Sequence, residues 1–235
     1  MLATNRIPAT NLLLASLPRK ERQSFLSHCE LVELVSSEIL GEPGKRVRYV
    51  YFPINSVISL VAPIDSHASM EVGMVGNEGM LGLNLALGIK FSFLRSLVQG
   101  AGIALRMDAV QFLQIYEKCA TLQQKLKAYA YVRMNQLSQT AGCNRFHVVH
   151  ARLARWILMA RDCAHSNEFR ITHEFLSYML GVRRAGITEA AGMLQKKKLI
   201  CYSRGHLKIL DRIGLEVVAC RCYQASKATY KKILG

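Results

Sequence analysis

Between Ile171 and Gln195 the small and apolar residues fall where a pair of crossed helices needs them. Thr172 offers the hydroxyl of a helix cap, Leu176 and Leu180 share one face of the helix that follows, and Ser177 is small enough for a second helix to cross closely. Gly181 suits the tight turn between them, because glycine enters the left-handed region without steric cost. Beyond it Val182, Ile187, Ala190, Ala191 and Leu194 supply an inward face, so Arg183, Arg184, Ala185, Thr188 and Glu189 point outward near the start of the second helix. The pattern predicts a helix-turn-helix, whose outward residues are the ones that enter a major groove.

The chemistry of that outward face suits base reading. Arg bonds guanine O6 and N7 in a bidentate way, Thr offers a hydroxyl and a methyl, and Glu accepts from cytosine N4. Arg184 is the expected principal reader, with Arg183, Thr188 and Glu189 beside it; ordinary surface arginines on a solvated helix are the plain alternative. Lys196, Lys197 and Lys198 are expected to meet phosphate rather than bases. Leu199–Ser203 and His206–Leu210 flank Arg204-Gly205 as the two strands of a hairpin, a wing whose Arg204, His206 and Lys208, with Thr172, would lie along the DNA backbone.

Charge points the same way. The 235 residues carry 31 Lys+Arg against 16 Asp+Glu, a formal charge of +15. Residues 1–140 hold 14 basic and 10 acidic side chains, whereas residues 141–235 hold 17 and 6, so the attraction to a polyanion is concentrated in the C-terminal part. Double-stranded DNA is the expected partner; single strands and RNA are not, because the basic part lacks a regular aromatic stacking platform. No apolar run approaches the roughly 18 residues of a membrane span. Leu12–Leu14, cut off by Pro18 and by Arg19, Lys20 and Glu21, is too short for a signal peptide, and a cytoplasmic protein with no membrane partner is expected.

Seven cysteines without a C-x-x-C pair suggest reduced thiols rather than a disulfide framework or a zinc ribbon. An iron–sulfur or redox-sensing role would need clustered ligands, and only Cys220 and Cys222 lie close along the chain, so no metal site is expected. Cys143 with His147 or His150 has helical spacing for nucleophilic chemistry, but no nucleophile turn or oxyanion loop accompanies them, and no enzyme is expected.

Upstream, Thr10 to Cys29 reads as two short helices punctuated by Pro18. From Glu30 to Met107 the texture is β-rich: Leu31–Val35, Val47–Phe52, Val57–Val61, Met70–Val75, Leu94–Gln99 and Gly102–Met107 predict an antiparallel barrel or sandwich. Glu42-Pro43-Gly44-Lys45 has the order of a type II turn, and Asp65-Ser66-His67 is a polar break. After Asp108, an N-cap, the chain reads as helix up to Gly142, taken as a hinge. Leu113, Leu122, Leu126, Tyr129, Val132 (or Arg133), Gln136 and Leu137 recur at steps of three and four and predict pairing with a second copy. Val148–Ala164 is a further amphipathic helix with Trp156 as a core anchor, and the last 65 residues predict three short helices and the hairpin.

This arrangement resembles the Crp/Fnr family of bacterial transcription regulators over nearly the whole chain. The resemblance is carried by Ile171-Thr172, Leu180-Gly181-Val182-Arg183-Arg184 and Leu199-Ile200, with further likeness in Tyr49-Val50-Tyr51-Phe52-Pro53, Gly76-Asn77-Glu78-Gly79-Met80-Leu81-Gly82 and Arg152-Leu153-Ala154-Arg155-Trp156. It implies an α+β chain with a cyclic-nucleotide-binding-like β jelly roll over 1–107, a dimerisation helix over 108–142 and a winged helix-turn-helix over 143–235. It implies a homodimer that regulates transcription, meets RNA polymerase and is switched by a small effector. A ligand-binding regulatory protein that docks a protein partner is the alternative.

The family's cyclic-nucleotide cassette pairs Gly-Glu with an Arg-Ser or Arg-Thr about ten residues later. Here Glu78 follows Asn77, and Arg95-Ser96 comes 17 positions on, beyond an apolar insertion from Leu85 to Phe93. Glu78, Arg95 and Ser96 are therefore the candidate effector pocket, in remodelled form, and a cyclic nucleotide is not the expected ligand. A structural Glu78–Arg95 ion pair is the plainer reading of the same residues.

Overall fold

Asn11 begins the described part of the chain by closing two loops at once. Its side chain accepts from Leu14 N–H, capping α1 (Leu12–Ala15), and donates to Pro53 O and Gly79 O at 3.0 and 2.8 Å. The computed structural model describes residues 11–64 and 69–235; Thr10 and the Asp65-Ser66-His67 break lie outside them. Pro18 starts α2 (Arg19–Leu26), and Phe25 sets its ring edge-on to Phe52 at 5.3 Å, which seats the helix pair on the strands.

The strands are β1 (Glu30–Leu34), β2 (Ile39–Gly41), β3 (Tyr49–Pro53), β4 (Val57–Pro63), β5 (Ser69–Val75), β6 (Arg95–Gly100) and β7 (Gly102–Asp108). They form two antiparallel sheets, ordered β1-β7-β3 and β2-β6-β4-β5. All six expected runs are strands, with ends shifted by up to two residues. Strand β2 was not foreseen, because three residues with a register shift show no alternation. The type II turn is as expected: Gly44 has φ 77° and Lys45 N–H donates to Glu42 O at 3.1 Å.

The expected helix over 108–142 is two helices. Asp108 caps α3 (Ala109–Lys118) by accepting from Val110 and Gln111 N–H. The chain then breaks at Cys119 (φ −116°, ψ 92°), where Glu21 of α2 holds both the Cys119 thiol and the Thr121 hydroxyl. Next, α4 (Ala120–Phe146) runs straight through Gly142 and stops at His147. Gly142 is no hinge; a glycine costs a long helix about 1 kcal/mol, which the packed helix absorbs.

The apolar stripe also faces a different way from the one expected. Leu122, Leu126, Tyr129 and Val132 are buried against Phe112, Met80 and Leu85 of the same chain. Each such aliphatic side chain contributes about 1.5–3 kcal/mol to folding. The exposed face of α4 carries Tyr131, Met134, Ser138 and Ala141, together with Leu137 of the expected stripe.

After α5 (Val149–Ala164) come β8 (Glu168–Arg170), α6 (His173–Leu180), α7 (Arg184–Lys196), β9 (Ile200–Ser203), β10 (His206–Ile209), α8 (Arg212–Val218) and α9 (Cys222–Leu234). The last 65 residues thus hold four helices, and the hairpin gains β8 as a third strand in the order β8-β10-β9. Helix α5 is the spine of this half, with Leu153, Trp156 and Ile157 buried among Leu176, Ile187 and Leu194. Helix α9 leaves that core and returns to α4, burying Leu234 in the roll cluster and donating Tyr230 O–H to Glu78 O at 2.8 Å. Among the described residues no helix is long and apolar enough to cross a membrane.

Candidate nucleic-acid interface

Local chemistry sets the helix pair. Thr172 Oγ1 accepts from Phe175 N–H at 3.1 Å and starts α6, and Gly181, in the left-handed region at φ 59° and ψ 45°, ends it. The chain re-enters helix at Arg184 with Ile187, Ala190, Ala191 and Leu194 buried. Arg183, Arg184, Ala185, Thr188 and Glu189 are all exposed on the opposite side, and among the described residues neither arginine has an ion-pair partner.

Thr188 is less free than its neighbours. Its hydroxyl donates to Arg184 O at 3.1 Å and lies 3.0 Å from His173 Nδ1. The His173 ring stacks on Tyr202 of β9 with centroids 4.5 Å apart, and Tyr202 O–H donates to Ile171 O at 2.7 Å. His173 and Tyr202 therefore fasten both helices to the wing. Burial and then the Arg184 charge hold the His173 imidazolium below its ordinary pKa, while burial raises that of Tyr202. Sequence reasoning missed this pair, since one histidine behind a cap carries no periodic signal.

The wing tip is a two-residue turn with Arg204 at φ 48° and Gly205 at φ 81°, the primed geometry that matches strand twist. Gly205 O accepts from Ile171 N–H at 2.7 Å, which lays the tip against Thr172. His206 pairs in register with Arg170 of β8, an exposed cation that sequence reasoning passed over because β8 was not foreseen. Thr172, Arg170, Arg204 and His206 thus line one edge. Lys208 is exposed too, but its ammonium pairs with Glu168 at 2.8 Å. Lys196, Lys197 and Lys198 are exposed at the far end of α7, about 20 Å along the helix from Arg184 at roughly 1.5 Å per residue.

The expected effector pocket does not assemble. Glu78 is half-buried and accepts from Gly76 N–H at 2.9 and 3.2 Å and from the Cys163 thiol, and desolvation raises its carboxyl above the usual range. Arg95 is exposed and pairs with Glu42 at 3.1 Å, so no Glu78–Arg95 ion pair forms. Ser96 is buried on β6 facing Gly41. The residues between them form a 3-10 turn (Leu83–Leu87) bounded by Gly82 and Gly88, both at positive φ, and carry Arg95 away from Glu78. A cleft of about 640 Å³ adjoins Glu78 on its other side, between the roll and helices α5 and α9, where Met74, Met159, Asp162, Tyr223 and Lys227 line it.

Residues 151–218 match the family described as the Crp-like helix-turn-helix domain. Comparison with curated protein sequences finds no match. Solved structures of similar fold include FixK2 from Bradyrhizobium japonicum, 11% identical with a TM-score of 0.68 over 82% of this chain and 98% of that one. The c-di-GMP responsive global regulator CLP of Xanthomonas campestris is 13% identical with a TM-score of 0.66, covering 82% of this chain and 99% of its own. A CRP/FNR-family transcriptional regulator from Thermus thermophilus is 16% identical with a TM-score of 0.64, covering 81% and 98%. The family match makes residues 151–218 a Crp-like helix-turn-helix domain, and the likeness to these solved structures shows a shared fold over most of the chain.

Proposed function

We propose that the chain is a sequence-specific transcription regulator that works in the cytoplasm as a homodimer on a pseudo-palindromic DNA site, and that it catalyses no reaction. Helix α7 enters the major groove, where Arg184 reads bases with Arg183, Thr188 and Glu189. Thr172, Arg204, His206, Lys208 and the lysines at 196–198 follow the backbone. The observation that carries this reading is the two-sidedness of α7: its inner face is sealed in the core, while its outer arginines are free of ion-pair partners among the described residues. Two heads on one two-fold axis set half-sites about 34 Å apart.

The second copy docks on the exposed stripe of α4. Tyr131, Met134, Ser138 and Ala141 recur at steps of 3, 4 and 3, the spacing of a two-helix seam. A small effector switches the dimer by favouring one placement of the roll against α4 and the heads, and RNA polymerase is the partner met at the promoter. A cyclic nucleotide is not the proposed ligand, since Glu78, Arg95 and Ser96 do not converge. CLP responds to c-di-GMP; the cleft beside Glu78 is the proposed effector site in this chain.

Selection of duplexes from a random DNA pool by the purified protein tests the reading. Enrichment of a two-fold-symmetric motif is expected. Salt-insensitive binding to a protein partner with no enriched motif would overturn it in favour of a docking protein.

A further inference from the structure

Folding brings together four side chains that are scattered along the chain. Cys143 lies in the last turn of α4 and His147 ends that helix, four residues on. Cys220 and Cys222 flank Arg221 at the turn between α8 and α9, with Cys222 the first residue of α9. The three sulfurs and one imidazole nitrogen all lie within 4.8 Å of one another. Cys143 Sγ stands 3.4 Å from Cys220 Sγ, and Cys222 Sγ stands 3.6 Å from His147 Nδ1.

The two shortest of those separations are close to the edges of a coordination tetrahedron, and the widest, at no more than 4.8 Å, closes onto one with a small side-chain adjustment. With metal–sulfur bonds of about 2.3 Å and metal–nitrogen bonds of about 2.0–2.1 Å, tetrahedral geometry puts ligand atoms about 3.5–3.8 Å apart. A cluster of several irons spreads its ligands over more than one metal atom, so donors this close fit a single ion. Three thiolates and one imidazole are the donor set of a closed structural zinc site. We propose that Cys143, His147, Cys220 and Cys222 bind one zinc ion that ties the end of α4 to the α8–α9 turn.

The charge around the cluster supplies an independent argument. Three thiolates, a neutral imidazole and Zn²⁺ sum to −1. Arg152 and Arg155, both buried, stand beside the thiols, and among the described residues neither has an ion-pair partner. Arg152 donates to Asn144 Oδ1 and Leu180 O and Arg155 to Thr140 Oγ1, all neutral acceptors, and the Nε atom of each is left without a partner. The buried carboxyl of Glu71 is hydrogen-bonded by Ser59 and Trp156 and also interacts electrostatically with Arg155, which leaves Arg152 as the guanidinium with no acidic neighbour among these groups. Buried charges are ordinarily compensated, and an anionic zinc complex offsets one of these two guanidinium charges where three neutral thiols offset none.

The test uses the reduced full-length chain stripped of metal, with Zn²⁺ and Co²⁺ as probes. One ion per chain is expected, and Co²⁺ should show the visible bands of a tetrahedral site with sulfur-to-metal charge transfer in the near ultraviolet. Cys222→Ser should weaken Zn²⁺ binding more than about tenfold, since losing even an outer-shell partner costs that much, while Cys201→Ser, an exposed cysteine outside the cluster, should leave it unchanged. Should Cys222→Ser fail to fold, thiol alkylation of the unaltered chain still decides. Zinc should protect Cys143, Cys220 and Cys222 and leave the other four cysteines as reactive as before. No sulfur charge transfer, equal loss in the two variants, or protection of a different set of thiols would overturn the proposal.

Discussion

The indole N–H of Trp156 donates to the Glu71 carboxylate at 3.0 Å, joining the spine of the DNA-binding half to strand β5 of the roll. Ser59 donates to the other carboxylate oxygen at 2.6 Å, and burial pushes the Glu71 pKa up to about 7. Between the unfolded value near 4.3 and this folded value the native state holds more protons than the unfolded one. This group therefore favours folding most at low pH, and that contribution is lost as pH rises toward about 7. Glu71→Gln, which cannot ionise, should remove it; urea unfolding at pH 5 and pH 8 should show a smaller fall in stability for the variant than for the parent.

His173 titrates with the opposite sign. Its depressed pKa means that the unfolded chain binds the proton more readily, so its contribution is present above about 6.5 and is lost as pH falls through the folded value. The buried Nε2 atom, which has no partner, explains the cost of protonation. Thermal unfolding at pH 7 and pH 5 should show the parent losing stability on acidification more than His173→Asn does.

Arg184→Ala should relax sequence preference at one position of each half-site by about 1–3 kcal/mol. Lys197→Ala should instead weaken specific and random duplexes alike and reduce the salt slope by about one. Competition binding at several salt concentrations separates the two, and equal loss on both duplexes for Arg184→Ala would end its assignment as a reader.

The two faces of α4 make separate predictions. Met134→Glu, on the exposed stripe, should leave the monomer folded and move sedimentation from dimer to monomer. Leu126→Ala, on the buried face, should cost about 2–5 kcal/mol of stability.

Much of this fold can be read along the chain because local rules decide it. Gly181 flanked by Leu176, Leu180 and Ile187 admits little besides a tight turn between two helices, and the β runs between turn residues need only a partner of either hand. Long-range geometry is what periodicity leaves open. Leu122, Leu126, Tyr129 and Val132 have the spacing of any buried helix face, and nothing in that spacing tells a roll from a second copy. Glu78 and Arg95 have the chemistry of a pocket, but an apolar turn decides where each points. Cys143 and Cys220 lie 77 positions apart, and only the return of α9 to α4 brings their neighbourhoods together.

That return makes the DNA-binding half a part held at two ends. Trp156 anchors it to β5 at one place, and Tyr230 and Leu234 pin α9 against α4 and the roll at another. A body hung from one tether swings; one hung from two slides along a path that both tethers permit. Two such tethers favour a shear of packed helices over a free hinge, so in the proposed dimer a small displacement of α4 would carry over to the spacing of the two α7 helices as through a linkage of rigid bars.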